Sequence, residues 1–255
     1  MLFWPQFMKL NSSDYFFITG PCSLESREQM EAFVPFMKKW NLKYLRAPIF
    51  KPRTHPDSFQ GVGEAGLPIL EYLKASGFEL VIEVCSIEQL KTALPFASIL
   101  QIGARNMQNF EFLKSIGPVL KNSNAKPYVM LKRGFGNTYE EWLNCALYLE
   151  KYGVEQKQII LCERGTKNHC SPSGVTLDFG IALKAKQETH YKVILDPSHG
   201  SSDDRLVLPL TQGILKMPFD GVMIESHPRP KQSVSDAQQA ISIQDLERFL
   251  EDFKA

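Results

Sequence analysis

YVMLKRGFGNTYEEWLNCALYLEKYGVEQKQIILCE, residues 128–163, holds two short apolar runs on either side of a helical pattern. Tyr128–Lys132 and Gln158–Glu163 are apolar at consecutive rather than alternate positions, which suits strands of a parallel sheet covered on both faces. Between them Tyr139, Trp142, Ala146 and Leu149 recur at three- and four-residue spacing, forming one apolar helix face. Thr138, followed by Glu140 and Glu141, reads as the start of that helix. The unit repeats outward in both directions. Upstream runs are Tyr15–Gly20, Tyr44–Ile49, Glu79–Val84 and Ile99–Ala104; downstream runs are Tyr191–Asp196 and Gly221–Glu225. Met30, Phe33, Met37 and Trp40, in a helix starting at Ser26, form a further apolar face, as do Ile243, Leu246, Phe249, Leu250 and Phe253 near the end. Eight runs, each followed by a helix or a loop and helix, predict an α/β chain folded as a single (β/α)8 TIM barrel over residues 1–255. Residues 1–15 would be a short N-terminal extension, with no separate regulatory domain. An open doubly wound sheet is the alternative.

Composition narrows the function classes. Hydrophobic residues are 44% and charged residues 22%, ordinary for a globular chain and unlike a disordered one. The 29 Lys and Arg against 28 Asp and Glu leave a net charge of +1 and no basic block, which speaks against nucleic acid as a partner. The 5 cysteines show no CxxC spacing, so a reduced, cytoplasmic protein is expected. Met1–Pro5 lacks the features of a signal peptide, and no run reaches the ~18 apolar residues of a membrane helix.

In a barrel of this kind the chemistry lies where the strands end. Those ends read Gly20-Pro21-Cys22, Arg46 with Lys51 and Arg53 beyond it, Glu83, Gly103-Ala104-Arg105, Lys132-Arg133, Glu163-Arg164, Asp196-Pro197-Ser198-His199 and Glu225-Ser226-His227-Pro228. So many cations at one mouth of a nearly neutral chain call for a ligand with several negative charges, such as phosphates and carboxylates. Singly, each could instead be solvated or paired with a nearby Glu. Cys22, His199, Glu225 and Asp236 offer mixed thiol, imidazole and carboxylate donors that suit a divalent transition metal. A strand-end Cys also fits a packed thiol. Glu83, Glu163 and Glu225 could suggest a glycosidase pair; among these cations they read better as partners of Arg and Lys or of a metal. Gly61-Val62-Gly63-Glu64-Ala65-Gly66 matches GxGxxG, but it does not directly follow a strand, so it reads as a flexible approach to the second helix. Cys85, Cys145 and Cys162 read as core thiols. His169-Cys170 reads as part of a long loop after the sixth strand, and His227 as support for Glu225.

These motifs resemble the 3-deoxy-D-arabino-heptulosonate 7-phosphate (DAHP) synthase family in its short microbial type I form, within the wider group that includes 3-deoxy-D-manno-octulosonate 8-phosphate synthase. The resemblance runs from about Phe16 to the C-terminus. It rests on GPCSLES (20–26), LR (45–46), FKPRT (50–54), SFQG (58–61), GARNMQNFEFLK (103–114), LKRG (131–134), ILCERG (160–165), DPSHG (196–200) and SDAQQ (235–239). It implies an aldol-type condensation of phosphoenolpyruvate with erythrose 4-phosphate and water, releasing phosphate, as the first step of the shikimate pathway. It further implies metal ligation by Cys22, His199, Glu225 and Asp236, with Lys51, His199 and Cys22 at the catalytic centre. Arg46, Lys51, Glu83, Ala104, Arg105, Lys132, Arg164 and His199 would hold phosphoenolpyruvate; Arg53, Thr54 and Ser198 would meet the sugar phosphate. The cofactor expected is one divalent ion, manganese first, with iron, cobalt or zinc as alternatives. A homo-oligomer, dimer or tetramer, is expected, with no membrane partner.

The chain departs from the family pattern on the expected acceptor side. Ala47-Pro48 replaces a usual Gly-Gly, Asp57 stands where Tyr is frequent, and Thr166–Cys170 replaces Ile-Arg-Thr-Phe-Glu. Three other readings are open: a relative using another aldose phosphate such as arabinose 5-phosphate, an inactive sugar-phosphate-binding homologue, and a Schiff-base aldolase using Lys132.

Overall fold

The computed structural model describes residues 15–254. Most of the expected N-terminal extension, and the Met1–Pro5 stretch, lie outside the described residues. The barrel strands are β1 (Phe16–Gly20), β2 (Tyr44–Arg46), β3 (Glu79–Glu83), β4 (Ala97–Ile102), β5 (Tyr128–Lys132), β6 (Ile159–Glu163), β7 (Lys192–Leu195) and β8 (Gly221–His227). Each pairs in parallel with its neighbour, and β8 pairs with β1 from Phe16↔Gly221 to Gly20↔Glu225. The sheet is therefore a closed barrel and not the open alternative. Among the described residues no helix is long and apolar enough to cross a membrane.

The helices are α1 (Arg27–Glu31), α2 (Phe33–Lys39), α3 (Leu67–Ala75), α4 (Ile87–Ala93), α5 (Phe110–Lys121), α6 (Tyr139–Lys151), α7 (Phe179–Glu188), α8 (Pro197–Ser201), α9 (Asp204–Leu215) and α10 (Ile243–Lys254). Ser26 caps α1 by accepting from Gln29 N–H, and Thr138 with Glu141 forms a complete capping box on α6. The first helix expected from sequence is split at Ala32 into α1 and α2. β2 stops at Arg46, shorter than the apolar run, because Ala47 precedes Pro48 and proline can neither donate to a ladder nor let its neighbour follow a regular path. The segment after β6 is no plain loop: Thr166–Lys167 and Val175–Thr176 form an antiparallel hairpin with His169 and Cys170 exposed near its tip.

Two apolar layers hold the barrel. Phe16, Ile18, Val81, Ile99, Met130, Ile160, Cys162, Ile194 and Met223 fill its interior. The opposite faces of the strands join the helices in a larger shell that includes Phe17, Leu45, Leu131, Trp142 and Leu161. Trp142 is fully buried and donates from Nε1 to the Leu131 carbonyl at 3.2 Å, so its one polar atom is satisfied.

The Gly61–Gly66 stretch, expected as a flexible approach to the helix, follows a defined path held by a hydrogen bond. It forms a 3-10 turn over Gly63–Gly66, and Gly63 N–H donates to the Ile49 carbonyl at 2.8 Å. Gly61 has φ +96°, and a Cβ there would lie 2.2 Å from that same carbonyl oxygen. Gly61→Ala is therefore expected to cost about 1–3 kcal/mol. Thermal denaturation should show a melting temperature several degrees lower; an unchanged one would mean that the loop opens freely.

Candidate active site

Side chains alternate between the two faces of a strand, so residues two apart share a face. Counting two onward from the interior apolar residues gives the floor of the mouth. Ile18 leads to Gly20, Tyr44 to Arg46, Val81 to Glu83, Ile99 to Gln101, Met130 to Lys132, Cys162 to Arg164, Ile194 to Asp196 and Met223 to Glu225. One closed ring of positions thus switches from apolar to almost wholly polar within a single period. Arg46, Glu83, Gln101, Lys132, Arg164, Asp196 and Glu225 are all buried there.

Donor atoms of Cys22, His199, Glu225 and Asp236 lie within 4.8 Å of one another. Barrel closure achieves this: Cys22 follows β1, His199 lies on α8 after β7, Glu225 is on β8, and Asp236 is in the segment beyond it. Cys22 Sγ donates to Asp236 Oδ2 at 2.7 Å although 214 positions separate them. Asp236 has φ +52°, a left-handed backbone uncommon for a residue with a side chain. His199 Nδ1 and Asp196 Oδ2 are 2.7 Å apart, which turns Nε2 toward Glu225 Oε1 at 3.4 Å. A carboxylate behind an imidazole is the usual support of a metal-ligating histidine. Glu225 Oε1 lies 2.9 Å from Arg46 Nη2, and its Oε2 accepts from Gln239 Nε2 at 2.6 Å. One soft donor, one imidazole and two carboxylates fit a manganese-to-zinc ion better than magnesium, which prefers oxygen donors and several waters.

Burial raises the Cys22 thiol well above its ordinary value, helped by Glu225 and opposed by Lys51. Burial also pushes Glu225 and Asp236 upward, but their neighbours outweigh it: His199 and Arg46 hold Glu225 low, and Lys51 and His199 hold Asp236 well below its range. Lys51 donates to Cys22 Sγ at 2.7 Å and lies 3.6 Å from Asp236. Against the cost of burial, Cys22 and the carboxylates Glu83, Glu225 and Asp236 keep its ammonium above its ordinary value, so Lys51 is charged.

Beside this cluster opens a cavity of about 190 Å³ lined by Arg46, Lys51, Glu83, Ala104, Arg105, Lys132, Arg164 and His199. Lys132 Nζ donates to Asp196 at 2.6 Å. Arg105 donates to Thr54 Oγ1 at 3.0 Å, drawing the exposed Thr54 to the rim. Arg53 stands next to it, half-buried, with Nη1 lacking a partner. Gly103 lets Glu83 lean over the floor; a Cβ there would lie 2.1 Å from Glu83 Oε1.

Several expectations change. Ser198 does not face the mouth. It is fully buried, and its Oγ accepts from Glu225 N–H at 2.9 Å, so it locks β8 against α8. Arg133 does not join the cationic mouth; one residue past inward-facing Lys132, it turns outward to Glu163 at 3.0 Å and Asp178 at 3.5 Å. Glu163 faces outward likewise and belongs to no carboxylate pair in the mouth. His227 faces Glu25 at 3.5 Å, not Glu225. Cys145 and Cys162 are buried, whereas Cys85 is only partly covered. Asp196, Gln239 and Phe135 received no role from the sequence. Asp196 could have been found by counting two from Ile194 once Ile194 was known to face inward.

Comparison with known proteins identifies the family. Residues 8–254 match the DAHP synthetase I family. A phospho-2-dehydro-3-deoxyheptonate aldolase of Thermotoga maritima is 37% identical over 251 residues, covering 97% of this chain and 71% of the relative. A 2-dehydro-3-deoxyphosphooctonate aldolase of Bdellovibrio bacteriovorus is 28% identical, covering 96% of this chain and 88% of the relative. The crystal structure of the Thermotoga maritima DAHP synthase superposes with a TM-score of 0.85 at 36% identity, covering 95% of this chain and 69% of that one. With the match spanning the whole barrel, and the relative at 37% identity extending over nearly all of it, the chain belongs to the DAHP synthetase I family.

Proposed function

We propose that the chain condenses phosphoenolpyruvate with erythrose 4-phosphate and water to give 3-deoxy-D-arabino-heptulosonate 7-phosphate and inorganic phosphate. The observation that carries this reading is a four-donor cluster set against a cavity lined by Arg46, Lys51, Arg105, Lys132 and Arg164, in which Arg46 pairs with Glu225 and Lys132 with Asp196 while Arg105 and Arg164 form no ion pair among the described residues. Two phosphates and a carboxylate supply the missing negative charge. Phosphoenolpyruvate lies against Arg46, Lys132, Arg105 and Arg164, and the sugar phosphate reaches Arg53 and Thr54 at the rim. C3 of phosphoenolpyruvate bonds to the aldehyde carbon, water adds at C2, and phosphate leaves. Lys51, charged and facing the donor cluster, holds a proton where the aldehyde oxygen gains electron density. Cys22, His199, Glu225 and Asp236 hold one divalent ion, manganese in our reading. When bound, that ion supplies Lewis-acid polarisation of the aldehyde.

The test is phosphate release from phosphoenolpyruvate with a panel of aldose phosphates. Erythrose 4-phosphate is expected to be the best acceptor; equal or faster turnover with arabinose 5-phosphate would overturn the assignment. Arg105→Ala is expected to raise KM for phosphoenolpyruvate by roughly thirtyfold, about 2 kcal/mol, and to change KM for the acceptor much less. An effect confined to the acceptor would mean that the two anion sites are exchanged.

Metal binding must also displace the proton of Cys22, because the thiolate is the ligand. Manganese affinity is therefore expected to rise with pH, and calorimetry in buffers of different ionisation enthalpy should register proton release. Affinity independent of pH would exclude Cys22 as a thiolate ligand.

A further inference from the structure

The loop between β5 and α6 carries an aromatic ring into the mouth. Phe135 lines the same cavity as Arg105 and Arg164. The guanidinium carbons of these arginines lie 5.1 Å and 4.7 Å from the ring centroid, and Lys167 Nζ lies 5.9 Å from it. All fall within the ~6 Å reach of a cation–π contact. The other deep cations of the mouth are neutralised: Arg46 by Glu225, Lys132 by Asp196. Arg105 and Arg164 differ. Among the described residues their hydrogen bonds go to uncharged oxygens, Thr54 Oγ1 and the Gly165 carbonyl, and Arg164 Nε is buried without a partner.

The loop that carries the ring is tied down at its backbone. The Phe135 carbonyl accepts from Lys167 N–H at 2.8 Å and from Thr166 Oγ1 at 3.0 Å, tying the loop to the hairpin after β6. Arg133 spans the loop from the outside, donating from Nε to the Asn137 carbonyl and from Nη1 to Glu163, both at 3.0 Å. Gly134 admits the tight path, since a Cβ there would lie 1.9 Å from Asn137 Oδ1.

We propose that Phe135 is a positioning residue for phosphate recognition: its ring holds Arg105 and Arg164 together while leaving their charge for the phosphate of the substrate. A carboxylate at this position would orient the arginines equally well, but it would cancel their charge and repel the incoming anion. The ring quadrupole attracts both guanidiniums, offsets their mutual repulsion and contributes no net charge. The identity of the phosphate as that of phosphoenolpyruvate rests on the function proposed above; the anion site itself does not.

Two measurements test this on the whole protein: calorimetric titration with inorganic phosphate and with phosphoenolpyruvate, and steady-state kinetics. Phe135→Leu and Phe135→Met both keep apolar volume without a ring, so either one that folds is informative; Phe135→Tyr keeps the ring. Leu and Met are expected to weaken binding of both anions about tenfold. They should raise KM for phosphoenolpyruvate by a similar factor, far more than they raise KM for the acceptor or lower kcat. Tyr is expected to restore binding to within about twofold. Unchanged anion binding in a ring-less variant, or a Tyr variant as weak as Leu with a normal melting temperature, would overturn the proposal. If the unaltered protein binds phosphate but turns over no aldose phosphate, the proposed function falls while the titrations still decide the role of Phe135. If turnover is normal and the titrations are flat across the series, the reverse holds.

Discussion

Cys22→Ser is expected to lose the metal and to lower turnover by about a thousandfold or more while the barrel stays folded. The substitution keeps the shape of the side chain, slightly smaller, with a hydroxyl in place of the thiol. Lys51 and Asp236 therefore retain a hydrogen-bonding partner where Sγ now lies 2.7 Å from each. What is lost is the soft, ionisable donor, because a serine hydroxyl does not deprotonate near neutrality. Removing the Lewis acid forfeits several kcal/mol of transition-state stabilisation, and about 4 kcal/mol corresponds to that thousandfold loss. The measurements are metal content after gel filtration, circular dichroism on heating, and phosphate release. A chelator should abolish activity in the unaltered protein and manganese should restore it. A Cys22→Ser protein with normal metal content, or a metal-stripped protein with full activity, would remove the centre from the mechanism.

Asp196→Asn is the second large effect, and it acts on stability as well as activity. Asp196 is fully buried and accepts from Lys132 Nζ at 2.6 Å and from the His199 backbone N–H at 3.0 Å, with His199 Nδ1 2.7 Å away. The amide leaves the Lys132 ammonium buried without its counter-charge, a change that costs ~3–5 kcal/mol in comparable buried pairs. For a barrel of this size that is on the order of a 10 °C drop in melting temperature. Loss of the orienting carboxylate should also weaken metal binding by about 10–100-fold.

The pH dependence has a defined sign. Burial would raise the Asp196 carboxyl, but His199 and Lys132 hold it well below its ordinary value. Its contribution is therefore complete above the unfolded value of about 3.9 and is lost as pH falls through the lower folded value. The stability gap between the two proteins should narrow as pH drops below about 4. A constant gap, or melting temperatures that agree within error at pH 7, would show that the Lys132–Asp196–His199 arrangement stabilises nothing.

The amino-acid sequence alone carried the α/β alternation, the number of barrel strands and the chemical types gathered at their ends. It also offered Cys22, His199, Glu225 and Asp236 as candidate metal ligands, through the residue types at the strand ends and the family resemblance, before any contact between them is known. Only the tertiary structure decided which strand-end residues face the mouth. Lys132 and Arg133 are adjacent cations, yet one lines the cavity and the other braces the outside against Glu163. No sequence pattern separates them. Val129, Met130 and Leu131 are all apolar because β5 is buried on both faces, so the alternation that would reveal inward and outward positions is absent. Ser198 and His199 pose the same problem on a helix of five residues, too short for a periodic face to emerge. One turns to the backbone of β8 and the other to the mouth. Closure is the remaining tertiary contribution. Pairing β8 with β1 brings Asp236 onto Cys22 across 214 positions, and local sequence cannot specify a contact that exists only once the last strand meets the first.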